Sequence, residues 1–151
     1  MVIFLTEDTP TFWSRRITRI FCGARKRASA RGLPCTITVP WVLARMEEQH
    51  YTCAQTGIAF RASCPSTGET RNPWSPSLDR IDSSLGYTPE NVQVVCSMYN
   101  LAKGMFTDDE VAVMAFHLVE IISNANEKLE MDTEESLVDQ AIDRRWYSHR
   151  M

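Results

Sequence analysis

No Cys-x-x-Cys pair occurs in this chain, and its cysteines (Cys22, Cys35, Cys53, Cys64 and Cys96) are scattered singly. That excludes a four-thiolate zinc site in the usual paired spacing. The odd count, with no secretory leader expected, also argues against a disulfide framework. Long hydrophobic runs are missing as well, where a membrane span needs about 20 apolar residues. The opening Met1–Leu5 is apolar, but Glu7 and Asp8 follow at once, so neither a signal peptide nor a span is expected there. The expected location is therefore a cytoplasm, with no membrane partner. Histidine is scarce, standing only at His50, His117 and His149. Acids are absent from Thr9 to Met46, a stretch that holds Arg15, Arg16, Arg19, Arg25, Lys26, Arg27, Arg31 and Arg45.

What is present begins with that gradient. The net charge of −3 averages a basic front with a tail that carries eleven acids and four bases from Met105 onward. A lone charge run is usually a solvated helix face. This one keeps a single sign over nearly forty positions, which points to a polyanion partner. Arg15, Arg16, Arg19, Arg25, Lys26, Arg27 and Arg31 are the expected DNA-binding residues, gripping backbone phosphates without reading sequence. With 151 residues, 44% hydrophobic and 23% charged, the chain has room for one domain or one small core with helical additions.

Three regions are expected. Residues 1–50 form an N-terminal basic helical region. Phe12, Trp13, Ile17, Ile20 and Phe21 make a helical stripe from Thr11 to about Ser29, ended by Gly32 and Pro34. A second helix runs from Pro40 to His50, with Trp41, Val42, Leu43 and Met46 on its apolar face. Residues 51–106 are dense in glycine and proline, which implies a loop-rich unit. Within it, Ser77–Asp82 and Val92–Cys96 read as strands and Ser97 to about Lys103 as a short helix. Residues 107–151 form a C-terminal helical region packing on the core, with an acidic tail. Thr107-Asp-Asp-Glu110 fits a capping box, and Val111, Met114, Ala115, Leu118, Val119 and Ile122 repeat at helical spacing. Thr133 to about Trp146 is a last helix or an acidic tail. The fold class is α+β.

The chemistry-bearing stretch is Ser77-Leu-Asp-Arg-Ile-Asp82, then Gly86-Tyr-Thr-Pro-Glu-Asn-Val-Gln-Val-Val-Cys96, then Ser97-Met-Tyr-Asn-Leu-Ala-Lys103, with Cys53-Ala-Gln-Thr-Gly57 upstream. Together these segments resemble the HNH (ββα-metal, His-Me finger) endonuclease family, in a branch common in phage genomes. The resemblance implies a small ββα-metal core and action on DNA. By position, Asp79 matches the metal-binding Asp, Asn91 the middle Asn and Asn100 the last metal ligand. A carboxylate and an amide oxygen suit a hard ion that keeps water and phosphate as its other ligands, so Mg²⁺ or Mn²⁺ is the expected cofactor. The plain alternative makes Asp79 and Asp82 a turn-capping pair and Asn91 a loop residue.

This chain departs from the family pattern at two places. Arg80 stands where the family has its general-base His, and a guanidinium cannot act as a base. Asp82 or Tyr87 is then the candidate to activate water, and Arg80 either clamps the scissile phosphate or pairs with Asp82 or Glu90. The expected catalytic set is Asp79, Arg80, Asp82, Asn91 and Lys103. Lys103 shares a helical face with Asn100 and reaches a bound phosphate, unless it is a plain surface lysine. The second departure is at the cysteines: relatives close the module with paired cysteines, whereas here Thr56 and Tyr99 stand as partners of Cys53 and Cys96. No structural zinc is expected, and Cys53, Thr56, Cys96 and Tyr99 are read as structural packing.

The leading expectation is a phage-like, divalent-metal-dependent DNA endonuclease. The alternatives are a weak or inactive HNH scaffold that binds DNA, or one that binds and inhibits a host protein through a DNA-mimicking acidic surface.

Overall fold

The structure, a computed structural model, describes residues 10–62 and 72–126. The chain divides into two compact units, residues 1–108 and 109–151. The expected element at Thr133–Trp146 lies outside the described residues, as does Cys64.

Helix α1 spans Pro10–Ala30 and buries Trp13, Ile17, Ala24 and Ala28, a single stripe at helical spacing. Its end is a glycine stop. Gly32 has φ 65°, a left-handed conformation free of any Cβ penalty, and the Leu33 N–H donates to the Ala28 carbonyl at 3.0 Å. Helix α2 spans Val39–Glu48. The Thr38 hydroxyl accepts from the Trp41 N–H at 3.3 Å, and Pro40 occupies the first turn, where its missing N–H costs nothing. The helix ends in two successive left-handed residues, His50 (φ 52°) and Tyr51 (φ 55°). The Tyr51 N–H donates to the Met46 carbonyl at 2.8 Å, and the reversal buries the Tyr51 ring.

Strands β1 (Pro76–Arg80) and β2 (Val92–Cys96) pair antiparallel, with Asp79 opposite Gln93. Every residue of β2 is buried. Its far edge is closed: the Val94 carbonyl accepts from the Ala54 N–H at 3.1 Å and the Gln49 side-chain amide at 2.9 Å. Helix α3 (Ser97–Lys103) follows β2 without a break. It has no side-chain cap. Instead the Ser97 and Met98 N–H groups donate to the carbonyls of Ser75 (2.8 Å) and Pro73 (3.0 Å), which satisfies orphan donors of its first turn. Helices α1 and α2 pack on each other and on the sheet to form one core. The order is α+β, with β1, β2 and α3 close to the positions expected from sequence.

A further helix covers residues 108–126, directly after Thr107. Within it His117 Nδ1 lies 3.1 Å from Glu120 Oε2. Its residues Val111, Met114, Leu118, Val119 and Ile122 follow one another at helical spacing. No helix of the described residues is long and apolar enough to cross a membrane.

Candidate functional site

Helix α3 docks along the free edge of β1, and two of its side chains make that contact. The Asn100 side-chain amide donates to Ser77 Oγ at 2.7 Å and to the Leu78 carbonyl at 3.1 Å. One turn later, Lys103 Nζ donates to the carbonyls of Arg80 (3.1 Å) and Ile81 (3.2 Å). The i, i+3 spacing read from sequence therefore serves to cap an edge strand whose carbonyls would otherwise face the cleft bare.

Lys103 is the most buried cation among the described residues, with 0% exposure. Its ammonium lies 2.7 Å from Asp79 Oδ2 and 3.1 Å from Asp108 Oδ1. It is thus not a surface lysine. Gln93, opposite Asp79 in the ladder, donates to Asp79 Oδ2 at 2.9 Å and to Asp108 Oδ2 at 3.1 Å. Asp108 also accepts from the Tyr99 hydroxyl at 2.6 Å and the Gln55 amide at 3.3 Å. Burial alone would raise the Asp108 pKa, but the Tyr99 hydroxyl and the Lys103 ammonium outweigh it and hold the carboxyl below its ordinary value. Burial would likewise lower the Lys103 pKa, and Asp79 and Asp108 reverse this, so the ammonium is held above its usual range. The Tyr99 phenol is pushed up by burial and by the neighbouring Asp108 carboxylate. Asp108, Gln93 and Gln55 carry no motif signal, and the sequence reading missed them. The only hint was Asp108 following Thr107 at a helix start.

Between β1, α3 and the end of α1 lies a cleft of about 330 Å³. Asp79, Asn100, Arg80 and Tyr87 border it, together with Arg27 and Arg31 from the last turn of α1 and the residues after it. Arg80 donates to the Leu85 carbonyl at 2.8 Å, and its guanidinium lies 5.2 Å from the centre of the Tyr87 ring. Arg27 Nε donates to the Tyr87 hydroxyl at 3.3 Å. Among the described residues no carboxylate forms an ion pair with Arg27, Arg31 or Arg80. The pairing of Arg80 with Asp82 or Glu90, weighed above, is not formed.

The remaining expected residues divide between loop and surface. Asn91 is buried and clamps its own loop: its Oδ1 accepts from the Asp82 N–H at 2.9 Å, and its amide donates to the carbonyls of Asp82 (3.0 Å) and Gly86 (2.9 Å). Asp82 accepts from the Ser84 N–H (2.8 Å) and hydroxyl (2.6 Å), which hold its pKa below the ordinary value. It does not border the cleft. Arg16 turns onto the core, donating to the Ala62 carbonyl at 2.9 Å and lying over the Trp13 ring. Arg15, Arg19, Arg25 and Lys26 are exposed along α1 and away from the cleft lining. Cys53 and Cys96 are buried neighbours; Tyr99 is half-buried and Thr56 exposed. Burial raises the Cys53 pKa, but the Thr56 hydroxyl and backbone N–H groups turned toward the sulfur bring it below the usual thiol value.

Asp79 and Asn100 could contribute to a metal site. Asp79 Oδ2 is committed to Lys103 and Gln93, but Oδ1 has no hydrogen-bond partner among the described residues. The same holds for the Asn100 amide oxygen, since only its nitrogen is used. The Asp79–Lys103–Asp108 group carries two carboxylates and one ammonium, leaving one net negative charge. A carboxylate oxygen and an amide oxygen beside a net negative charge are chemically compatible with a hard divalent cation. No group of three or more His, Cys, Asp or Glu side chains suited to a metal occurs among the described residues, so water and substrate oxygens would have to complete the shell.

No family model matches this chain, and no curated protein matches it. Among solved structures, the rare-cutting HNH restriction endonuclease PacI is similar, at 22% identity over 70% of this chain and 78% of that one, with a TM-score of 0.50. The likeness is one of fold: this chain has an HNH-like fold.

Proposed function

We propose that this protein is an HNH-type DNA endonuclease that hydrolyses a phosphodiester with the help of Mg²⁺ or Mn²⁺. One observation carries the reading. Three guanidinium groups that pair with no carboxylate among the described residues, those of Arg27, Arg31 and Arg80, border the same cleft as Asp79 and Asn100. Guanidinium groups around a polar cleft suit a phosphate, whose oxygens accept from their planar forks. The HNH-like fold agrees with DNA as the partner.

In this reading Arg27, Arg31 and Arg80 hold the phosphate, and Asn91 keeps the 82–86 loop in place so that Arg80 and Tyr87 stay stacked. Asp79 and Asn100 would hold the divalent ion, which supplies electrostatic stabilisation of the phosphate and the leaving oxygen when bound. Tyr87 is the candidate to orient the attacking water through its hydroxyl. It borders the cleft, and its oxygen already accepts from Arg27. Asp82 fits that role less well, because both Ser84 donors engage its carboxylate.

A second reading, a DNA-binding scaffold without chemistry, is favoured by one observation. None of the described cleft residues is a histidine, the usual general base of the family. Incubating the protein with supercoiled plasmid and Mn²⁺ separates the two, with Asp79→Ala and Tyr87→Phe as controls. Metal-dependent nicking lost in both variants supports the enzyme. Salt-sensitive DNA retardation without nicking supports the scaffold. Absence of both removes the DNA reading.

A further inference from the structure

Asp79 is paired with a buried ammonium at 2.7 Å, and a carboxylate neutralised that way is a poor ligand for a cation. The structure contains the counterweight. Lys103 lies between two carboxylates, and the second, Asp108, meets it at 3.1 Å. Asp108 makes no contact with the cleft lining's arginines and does not border the cleft itself. It is held in place by Tyr99, Gln93 and Gln55. All of this machinery fixes one negative charge against Lys103, on a residue that does not itself border the cleft.

We infer that Asp108 is a positioning residue that offsets the Lys103 charge and so leaves the Asp79 carboxylate free to bind a divalent cation. The inference rests on the reading of Asp79 and Asn100 as the cation-binding pair. Lys103 then has one mechanical task, which is to hold Asp79 Oδ2 and the β1 carbonyls in place. Asp108 supplies the charge that makes this task compatible with metal binding.

The test is titration of the full chain with Mn²⁺ alone, read by calorimetry and by the resonance signal of free Mn²⁺, with folding checked by circular dichroism. Asp108→Asn keeps the shape and removes the charge. It is expected to weaken Mn²⁺ binding on the order of tenfold, the effect of one unit charge on a divalent cation several ångströms away through a water-like dielectric. Lys103→Gln removes the ammonium and keeps a donor, so it is expected to tighten binding by a factor on the order of ten. The double variant should return close to the native affinity, a rescue that loss of packing would not produce. Equal affinities for the native chain and a folded Asp108→Asn overturn the inference, as does a double variant weaker than either single one. If Asp108→Asn does not fold, Lys103→Gln decides alone: tighter binding supports the inference, and unchanged or weaker binding overturns it. A native chain that binds no Mn²⁺ fails at the earlier step, the metal reading itself, and the inference goes with it.

Discussion

The Pro34 carbonyl oxygen occupies the space where a β-carbon on residue 86 would stand, 2.3 Å from its ideal position. The contact is backbone against backbone, in a segment where the Tyr87 N–H donates to that same carbonyl at 2.9 Å and the Thr36 N–H donates to the Tyr87 carbonyl at 2.9 Å. Neither side can yield without breaking these bonds. Gly86→Ala is expected to cost roughly 1–3 kcal/mol, as overpacking does. Because Tyr87 is the next residue, DNA cleavage should fall as well. Urea denaturation measures the first effect and plasmid nicking the second.

Arg27 and Arg31 border the cleft, whereas Arg15 and Arg19 on the same helix do not. Replacing Arg27 and Arg31 by alanine should flatten the salt dependence of DNA binding by about one unit of logarithmic slope per lost phosphate contact. The matched pair Arg15→Ala and Arg19→Ala should change it less. A mobility-shift titration at several salt concentrations gives both slopes, and equal losses would show that the cleft is not where phosphate binds.

Stability should fall at both ends of the pH scale. The folded state holds the Asp108 pKa below its ordinary 3.8, so Asp108 contributes stability above that pH. The contribution is lost as pH falls through the lowered folded value. Lys103 has the opposite sign. Its folded pKa is raised above 10.5, so its contribution is complete below that pH and disappears as pH rises beyond it. Tyr99, raised from 10.0, adds to the alkaline loss, because the unfolded chain releases that proton first. Thermal melts across pH will show both limbs in the native chain. Asp108→Asn should lose Asp108's share of the acid limb.

His50 is exposed and left-handed at the end of α2. A non-glycine residue in that conformation is strained, so His50→Gly is expected to stabilise the protein by about 0.5–1 kcal/mol. The same change at Tyr51 should destabilise it, since that ring is buried. Differential scanning calorimetry distinguishes the two. As His50 does not border the cleft, its loss should leave DNA binding unchanged.

The helices and strands of the described core were legible because each carries a local signal. The Trp13–Ile17 stripe and Gly32 bracket α1, Thr38 and Pro40 open α2, and the Val92–Val95 run marks the buried strand. Asp79 and Asn100 were singled out through the family resemblance of the segments that hold them, and both border the cleft. The surroundings of Lys103 were not legible. An i, i+3 relation says that two side chains share a face, not that one of them will be wholly buried between two carboxylates. Asp108 and Gln93 became neighbours of Asp79 only through strand pairing and the chain's return after α3.

The amino-acid order by itself determined the α+β layout and the basic front, since each is a property of neighbours along the chain. Tertiary structure alone decided which arginines meet at the cleft and where the charge of Lys103 is answered. Electrostatic partners are set by distances of a few ångströms in space, and residues 24 apart, such as Asp79 and Lys103, acquire such a distance only when the chain has folded.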